Sequence, residues 1–259
     1  MNTVENTGTE RFLNDSVRSN FMYPHSYKIK GIATQVSILQ DIFQDLGFAD
    51  EDMANQSLPL NTEGWFAIPR WDKVASTYNE AVEKVLKLVA HRLKLQNCCE
   101  GSLGSRYLRQ CSQTAKMFQR LGDQQKGYDI LVVPAQFGFK YRGYSVESVR
   151  NNLEDNEFPL GVFAVACMLL THPKREIQDN QLHVDCAGDE YCSIGMCSLG
   201  NDDHFNLSAL SFNFNYNRHA HELGGRYMYA HGGGTIRLSS RLCKNADSRH
   251  GSASAFLLE

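Results

Sequence analysis

The sequence predicts an α/β or α+β fold with a mixed sheet flanked by helices, and three observations carry that prediction. Apolar residues recur at helical spacing in residues 32–46 and again in residues 74–93. Residues 128–133 form a nearly unbroken apolar run, as in a central strand covered on both faces. After residue 195, apolar and polar residues alternate with the period of half-exposed antiparallel strands. We therefore expect a helix-rich N-terminal two thirds and antiparallel strands in the C-terminal third.

Two amphipathic helices and a short strand are predicted in the first hundred residues. Residues 32–46 form the first helix, with Gly47 as its C-terminal cap. Residues 65–68 are a short apolar segment that suits a strand. Asp72 is placed to cap the second helix, which then runs to about Leu95.

The centre of the chain alternates between helices and strands. A third helix is predicted over residues 106–122, and Arg109 in its early turns would serve an anion or a carboxylate, since the helix dipole does not favour it there. The strand over residues 128–133 is predicted to end at Pro134. Ser145 then caps a further short helix.

Residues 159–172 are uncharged and form the most apolar stretch of the chain. As a helix they span about 21 Å, too short for a hydrocarbon core of about 30 Å. We therefore expect a buried helix, with Pro159 in its first turn and Pro173 ending it, and a buried strand pair is the alternative. Residues 182–185 alternate like a strand, and residues 186–188 are predicted to turn the chain.

The composition indicates how large a hydrophobic core the chain can form and which classes of partner it favours. The 259 residues are 42% hydrophobic with a formal net charge of −3, which allows a substantial core and provides no basic field. We predict one globular domain over residues 21–259, preceded by a polar and partly disordered leader over residues 1–20. Nucleic acid is disfavoured as a partner, and the formation of homo-oligomers stays open.

The N-terminus lacks an apolar signal core, and no window reaches transmembrane length. We therefore predict a cytoplasmic protein with no membrane partner. In that compartment the eight cysteines are expected to be free thiols rather than a disulfide framework.

Two polar clusters follow the two predicted buried strands. They comprise Gln136, Lys140 and Arg142 after the first strand, and Asp185, Cys186, Asp189 and Glu190 after the second. If a helical crossover joins these strands as parallel neighbours, both clusters lie at one edge of the sheet, where ligands collect in open α/β folds. If the strands are antiparallel, the clusters separate.

We hypothesise an enzyme or a binder of a small polar or anionic molecule, with its site at the strand ends that follow Val133 and Asp185. Arg142, with Lys140, would meet an anionic group. The carboxylates would supply acid/base or cation-binding oxygens and Cys186 would line the pocket, because several carboxylates beside a buried element are costly unless they have partners. A solvated strand end is the alternative interpretation. The residues leave open whether the protein is an enzyme and indicate no particular cofactor.

Two sets of residues resemble metal ligands, and neither has the spacing of a strong motif. The first set is Cys186, Cys192, Cys197 and His204, and the second is His219, His221, Glu222 and His231. The first lacks the tight CxxC knuckle of structural zinc sites. The second places two histidines on one strand face but at a predicted hairpin tip. We therefore predict no metal centre.

Three segments, GWFAIPRW at 64–71, DILVVPAQFG at 129–138 and LHVDCAGDEY at 182–191, resemble a family of bacterial proteins with no assigned activity. The resemblance spans residues from about 30 to 192 and the ending GSASAF. It implies no catalytic residue, fold or substrate.

A different class of function rests on the last third of the chain. Residues 205–231 combine aromatic side chains with histidines in predicted antiparallel strands. The alternative hypothesis is therefore a non-catalytic interaction protein that uses this aromatic and histidine-rich sheet.

Overall fold

The structure is a computed structural model that describes residues 15–192, 207–215, 220–223, 226–229 and 235–258. Its helices are α1 Ile32–Ile42, α2 Tyr78–Leu93, α3 Ser112–Gln124, α4 Val146–Asn151 and α5 Val162–Thr171. Its strands are β1 Gly64–Pro69, β2 Gln96–Asn97, β3 Leu108–Gln110, β4 Ile130–Gln136, β5 Glu157–Pro159, β6 His183–Tyr191, β7 Ser208–Asn215, β8 Ala220–Leu223, β9 Arg226–Tyr229, β10 Thr235–Leu242, β11 His250–Ser252 and β12 Ser254–Phe256. The fold is thus α+β. Strands occur throughout the chain, so the predicted segregation of helices from strands is not confirmed.

The strands form two main sheets. One is antiparallel, in the order β1-β4-β12-β5. The other is mixed, in the order β11-β6-β7-β10-β2, with β3 paired to the end of β6. Strands β8 and β9 pair only with each other among the described strands. The predicted parallel pairing of the two buried strands is therefore wrong, because β4 and β6 belong to different sheets.

The C-terminal segment joins the two sheets. Strand β11 lies parallel to β6, and after Ala253 the chain enters β12, which lies between β4 and β5. The loop after β4 packs against this segment so closely that a Cβ on Gly138 would lie 2.6 Å from the carbonyl oxygen of Gly251. With φ at +118°, Gly138 also has a backbone conformation that other residues rarely adopt. The segment therefore brings the end of β4 towards β6, although the two strands do not pair.

The larger of two hydrophobic clusters among the described residues extends from Ile32 to Leu257. Helix α5 lies at its centre, with all ten residues buried, and it packs against α1, α2 and β1. The buried helix is confirmed, but it begins at Val162, because Pro159 belongs to β5.

Two of the predicted helix ends are wrong. Helix α1 ends at Ile42 with Phe43 as its C-cap residue, and Gly47 instead donates its backbone N–H to Oδ2 of Asp129 at 3.0 Å. Helix α2 begins after Thr77, whose hydroxyl accepts the backbone N–H of Glu80, so Asp72 is not its cap. In both cases a tertiary contact or a nearer hydroxyl outweighs the local signal.

The limits of β3, β4 and α4 follow from their pairing and capping. Arg109 lies on β3 rather than in a helix, because β3 pairs with the end of β6. Pro134 lies within β4, opposite Trp65, and it does not end the strand. Strand β12 pairs only with the two residues that follow this proline, so no strand requires its missing N–H. Ser145 caps α4 as predicted.

Strand β6 does not turn at residues 186–188, as the small residues suggested, but continues to Tyr191. Its register against β7 shifts between Cys186 and Tyr191. A Cβ on Gly188 would lie 2.4 Å from the carbonyl oxygen of Pro159, so this glycine serves close packing against β5 rather than a turn.

The described part of the N-terminal segment is attached to the domain. Val17 donates its N–H to the carbonyl oxygen of Gly143 at 2.8 Å, and Leu182 donates to that of Met22 at 3.0 Å. Residues 1–14, 193–206, 216–219, 224–225 and 230–234 lie outside the described residues. Among the described helices, none combines the length and the apolar character needed to cross a membrane.

Candidate functional site

A buried ionic cluster centres on Asp185 in β6. Its side chain is fully buried, with Oδ1 accepting from Nδ1 of His250 at 2.9 Å and Oδ2 accepting from Nη1 of Arg241 at 2.6 Å. His250 comes from β11, which lies beside β6, and Arg241 comes from β10, one strand beyond β7. Three strands of the mixed sheet therefore assemble the cluster.

The two partners of Asp185 determine its charge. Burial raises the pKa of this carboxyl, but the charge of Arg241 and the hydrogen bond from His250 outweigh burial and hold the pKa at about 2. Asp185 is therefore ionised near neutral pH and balances the guanidinium, whose side chain is only 14% exposed.

His250 also contacts a second histidine, His183. Nε2 of His250 lies 3.4 Å from Nδ1 of His183, and the two rings are nearly perpendicular. Burial, with the charges of His250 and Arg249, lowers the pKa of His183 to about 3, so this ring is neutral near pH 7. Its Nε2 is buried and has no hydrogen-bond partner among the described residues.

The cluster contains a serine, but its geometry is not that of a catalytic triad. The hydroxyl of Ser211 lies 3.2 Å from Nδ1 of His250, which is the nitrogen that also contacts Asp185. In a triad the serine and the carboxylate contact opposite ring nitrogens, so that one nitrogen can accept the serine proton while the other donates to the carboxylate, which stays ionised. The serine hydroxyl here donates to the carbonyl oxygen of Val184 instead. The arrangement thus fixes a histidine and an arginine without activating a nucleophile.

A polar pocket of about 640 Å³ adjoins this cluster. It is lined by Asp15, Ser16, Val17, Asn213, Arg241, Lys244, Asn245, Ala246, Asp247 and His250. Arg241 also donates from Nη2 to the carbonyl oxygen of Asn245, so its guanidinium is held on two sides. The pocket therefore combines a fixed guanidinium, a lysine, a histidine and two side-chain amides with the carboxylates of Asp15 and Asp247.

The other residues of the second predicted cluster have different surroundings. Asp189 is buried and accepts from the backbone N–H of Val162 at 2.6 Å, which caps α5, and from the hydroxyl of Tyr78 at 2.7 Å. Glu190 pairs with Arg109. Cys186 is fully buried, and burial with nearby carboxylates raises its thiol pKa well above the usual value, so the thiolate is disfavoured. Of this cluster, Asp185 alone contacts residues that line the polar pocket.

The first predicted cluster contacts the rest of the protein more than it contacts solvent. The Gln136 side chain donates to the carbonyl oxygen of Ser252 at 2.8 Å, and Ser252 pairs with Asp185 in register. Arg142 lies over the ring of Phe139, with 4.1 Å between guanidinium carbon and ring centroid. Gln136 of the first cluster and Asp185 of the second are thus connected through Ser252 of β11. The order of helices and strands along the chain did not indicate this connection.

No family model matches the chain, and neither a curated protein nor a solved structure matches it.

Lys140 forms an ion pair with Glu157, so replacing this lysine should change the stability of the fold. Its ammonium lies 2.6 Å from the fully buried carboxylate of Glu157, which also accepts from the hydroxyls of Tyr141 and Ser254. Lys140→Met is expected to lower the free energy of unfolding by about 2 kcal/mol, because it leaves a buried carboxylate without its counter-ion, although Tyr141 and Ser254 still donate to it and reduce the loss. Urea denaturation at pH 7 measures this.

Glu154→Gln is the matched control, because Glu154 contacts the same ammonium but is 51% exposed, so its loss is expected to cost less than about 1 kcal/mol. If Lys140→Met leaves the stability unchanged, the lysine is not held by the ion pair and is available to a ligand.

The described residues contain no group of three or more side chains that could hold a metal ion. Several of the weak candidates lie outside the described residues, namely Cys197, His204, His219 and His231. His221 and Glu222 lie on β8, where the backbone is described.

Cys192 is disulfide-bonded, so the expectation of free thiols fails for it, whereas six other cysteines are free. Of the proposed interaction sheet over residues 205–231, the backbone is described at residues 207–215, 220–223 and 226–229.

The sequence reasoning missed Arg241, Lys244 and His250. They lie in a stretch of ordinary polar composition, and no spacing connects them to β6. A weak signal was available, since a carboxylate within an apolar strand requires a cation from elsewhere, but the sequence does not say which one.

Proposed function

We propose that this protein binds a small molecule carrying a phosphate or carboxylate group in the polar pocket beside Asp185. The observation that supports the proposal most strongly is that Arg241 and Lys244 line the same pocket, together with His250. The proposal keeps the hypothesis of an anionic ligand but replaces Arg142 and Lys140 as the residues that bind it.

The guanidinium of Arg241 is suited to this role because it is already oriented. A guanidinium has five N–H donors in one plane. Within the described part of the chain, Arg241 donates only to Asp185 and to the carbonyl oxygen of Asn245. Donors therefore remain for a ligand, and the ligand does not have to immobilise the side chain, which lowers the entropic cost of binding.

Lys244 supplies a second positive charge at the pocket, whose lining also includes the carboxylate of Asp15. The lysine is exposed, lines the pocket and forms no ion pair with a described residue. Asp247, on the same wall, pairs with Arg249. Since Asp185 neutralises Arg241, the guanidinium contributes mainly directed hydrogen bonds, and Lys244 contributes mainly electrostatic attraction. Binding should accordingly weaken as salt is added.

Titration calorimetry with inorganic phosphate and, separately, with succinate tests the proposal and distinguishes the two anion chemistries. We expect Lys244→Gln to weaken binding of the preferred anion about three- to tenfold, because an exposed, solvated ammonium contributes about as much as one ordinary hydrogen bond. Lys126→Gln is the matched control: it makes the same charge change at an exposed lysine that does not line the pocket, and it should leave affinity unchanged.

The proposal fails if neither anion binds, or if the two lysine variants bind the anion equally well. Arg241→Lys provides a further readout, because it keeps the charge but removes the planar fork of donors, and we expect a larger loss of affinity than from Lys244→Gln.

A further inference from the structure

A second cavity of about 330 Å³ lies on a different part of the protein and shares no lining residue with the polar pocket. It is enclosed by the short 3₁₀ helix Trp71–Lys73, the first turn of α2, helix α3 and the start of α5. Its walls are mainly apolar, with four aromatic rings and a few polar groups. They comprise Pro69, Arg70, Trp71, Asp72, Tyr78, Gln110, Ala115, Phe118, Gln119, Leu131, Gly161, Phe163 and Ala164.

The aromatic rings of this cavity are steeply inclined to one another. Trp71 and Tyr78 have centroids 6.3 Å apart with an interplanar angle of 87°, and Tyr78 and Phe163 have centroids 6.4 Å apart at 61°. These edge-to-face contacts, and that of Phe118 with Phe158 at 5.3 Å, fix the orientation of the rings. The parts of the rings that line the cavity can contact a planar guest by offset-stacked or edge-to-face geometry.

Tyr78 is a fixed wall of the cavity. Its hydroxyl donates to Oδ1 of Asp189 at 2.7 Å, and Asp189 is held in turn by the backbone N–H of Val162. The ring therefore keeps its orientation whether or not a ligand is present. This pre-organisation lowers the entropic cost of binding.

Gln110 supplies polar recognition at the same cavity. Its side chain is half-buried, lines the cavity and makes no hydrogen bond to any described residue. A primary amide presents two donors and an acceptor in one plane, and it pairs best with a neighbouring acceptor and donor on one edge of a ligand. The half-buried amide of Gln110 and the inclined aromatic rings together suit a ligand that has a flat ring and a hydrogen-bonding edge.

We propose that this cavity binds a planar aromatic ring with an amide-type edge, of the size of a pyrimidine or a pyridine carboxamide. The volume is at the lower end of the range for small-molecule pockets, which suits a single ring rather than an extended ligand. The rings of Trp71 and Phe118 would contact the faces of the ligand, and Gln110 would pair with its edge.

Saturation-transfer NMR and titration calorimetry with uracil and nicotinamide test this site. Cyclohexanecarboxamide has the amide edge without an aromatic face, and benzene has the face without the edge. We expect uracil or nicotinamide to bind at least tenfold more tightly than both comparison compounds. The inference is overturned if neither planar amide binds, or if cyclohexanecarboxamide binds equally well.

Ala115→Phe fills the cavity from an exposed position on α3, so it blocks the site without altering the core. Gln113→Phe introduces the same ring at an exposed position of α3 that does not line the cavity. We expect at least a tenfold loss of affinity in the first variant and no change in the second. Equal affinities would place the ligand elsewhere and refute the site.

Gln110→Leu isolates the edge recognition. It is expected to weaken uracil or nicotinamide about three- to tenfold and to leave benzene unchanged, because only the hydrogen bonds are lost. Phosphate or succinate binding at the first pocket should be unaffected by all three variants, so the two proposals fail or succeed independently.

Discussion

Asp185→Asn is expected to lower the free energy of unfolding by about 3 kcal/mol at pH 7, which urea denaturation would measure. The carboxylate is fully buried and is the counter-ion of Arg241, whose side chain is only 14% exposed. An amide keeps the volume but leaves a largely buried guanidinium uncompensated, and breaking such a pair typically costs about 3–5 kcal/mol. The lower value applies because the amide oxygen still accepts one hydrogen bond.

The pH dependence tests the same carboxylate independently. The folded-state pKa of Asp185 is about 2, below the unfolded value of about 3.9, so the ionised form is stabilised by folding. This contribution is present above pH 4 and is lost as the pH falls from 4 to 2, with a magnitude of about 2 kcal/mol. Asp185→Asn should therefore lose less stability than the wild type across that interval.

Asp247→Asn serves as the control for both experiments. This carboxylate also pairs with an arginine, but both side chains are substantially exposed, so we expect a loss below about 1 kcal/mol. If the two variants have equal stability and equal acid sensitivity, the buried ion pair does not contribute as its geometry indicates.

The periodicity of the sequence predicted which segments are buried more reliably than it predicted the direction of the strands or which strands pair. Helix α5 and strands β1 and β4 occur where apolar patterns place them. A fully buried apolar run does not distinguish a central parallel strand from an antiparallel one covered by helices, and β4 is of the second kind. Its neighbour β12 lies more than a hundred residues away in the sequence, so no local pattern connects them.

The candidate site was predictable only in part, for a related reason. The cost of burying charge correctly marked Asp185 as a residue that needs a partner. The identity of that partner depends on the register of β10 against β7 and on the position of β11 beside β6. Asp189, four residues further along the same strand, looks equivalent in the sequence but caps a helix. Two chemically identical side chains thus acquire opposite pKa shifts from their tertiary surroundings.

Asp189→Asn is expected to change the pH dependence of stability in the direction opposite to that of Asp185→Asn. Burial, the dominant cause, raises the pKa of Asp189 to about 7 despite the hydrogen bonds from Tyr78 and Val162. Between pH 4 and 7 the folded protein then binds a proton that the unfolded chain has released. Wild-type stability should therefore fall as the pH rises through this interval, by an amount on the order of 4 kcal/mol.

An asparagine at position 189 cannot ionise, yet its oxygen can accept from Val162 and its amide can donate to the hydroxyl oxygen of Tyr78. The variant and the wild type should thus be similarly stable at pH 4, and the variant should be the more stable at pH 8. Asp189→Ala separates charge from capping: it should abolish the same pH dependence but be about 1 kcal/mol less stable than Asp189→Asn at every pH, because the N-terminus of α5 loses its cap. If Asp189→Asn proves less stable than the wild type at pH 8, the two short hydrogen bonds outweigh burial, and Asp189 is ionised in the folded protein.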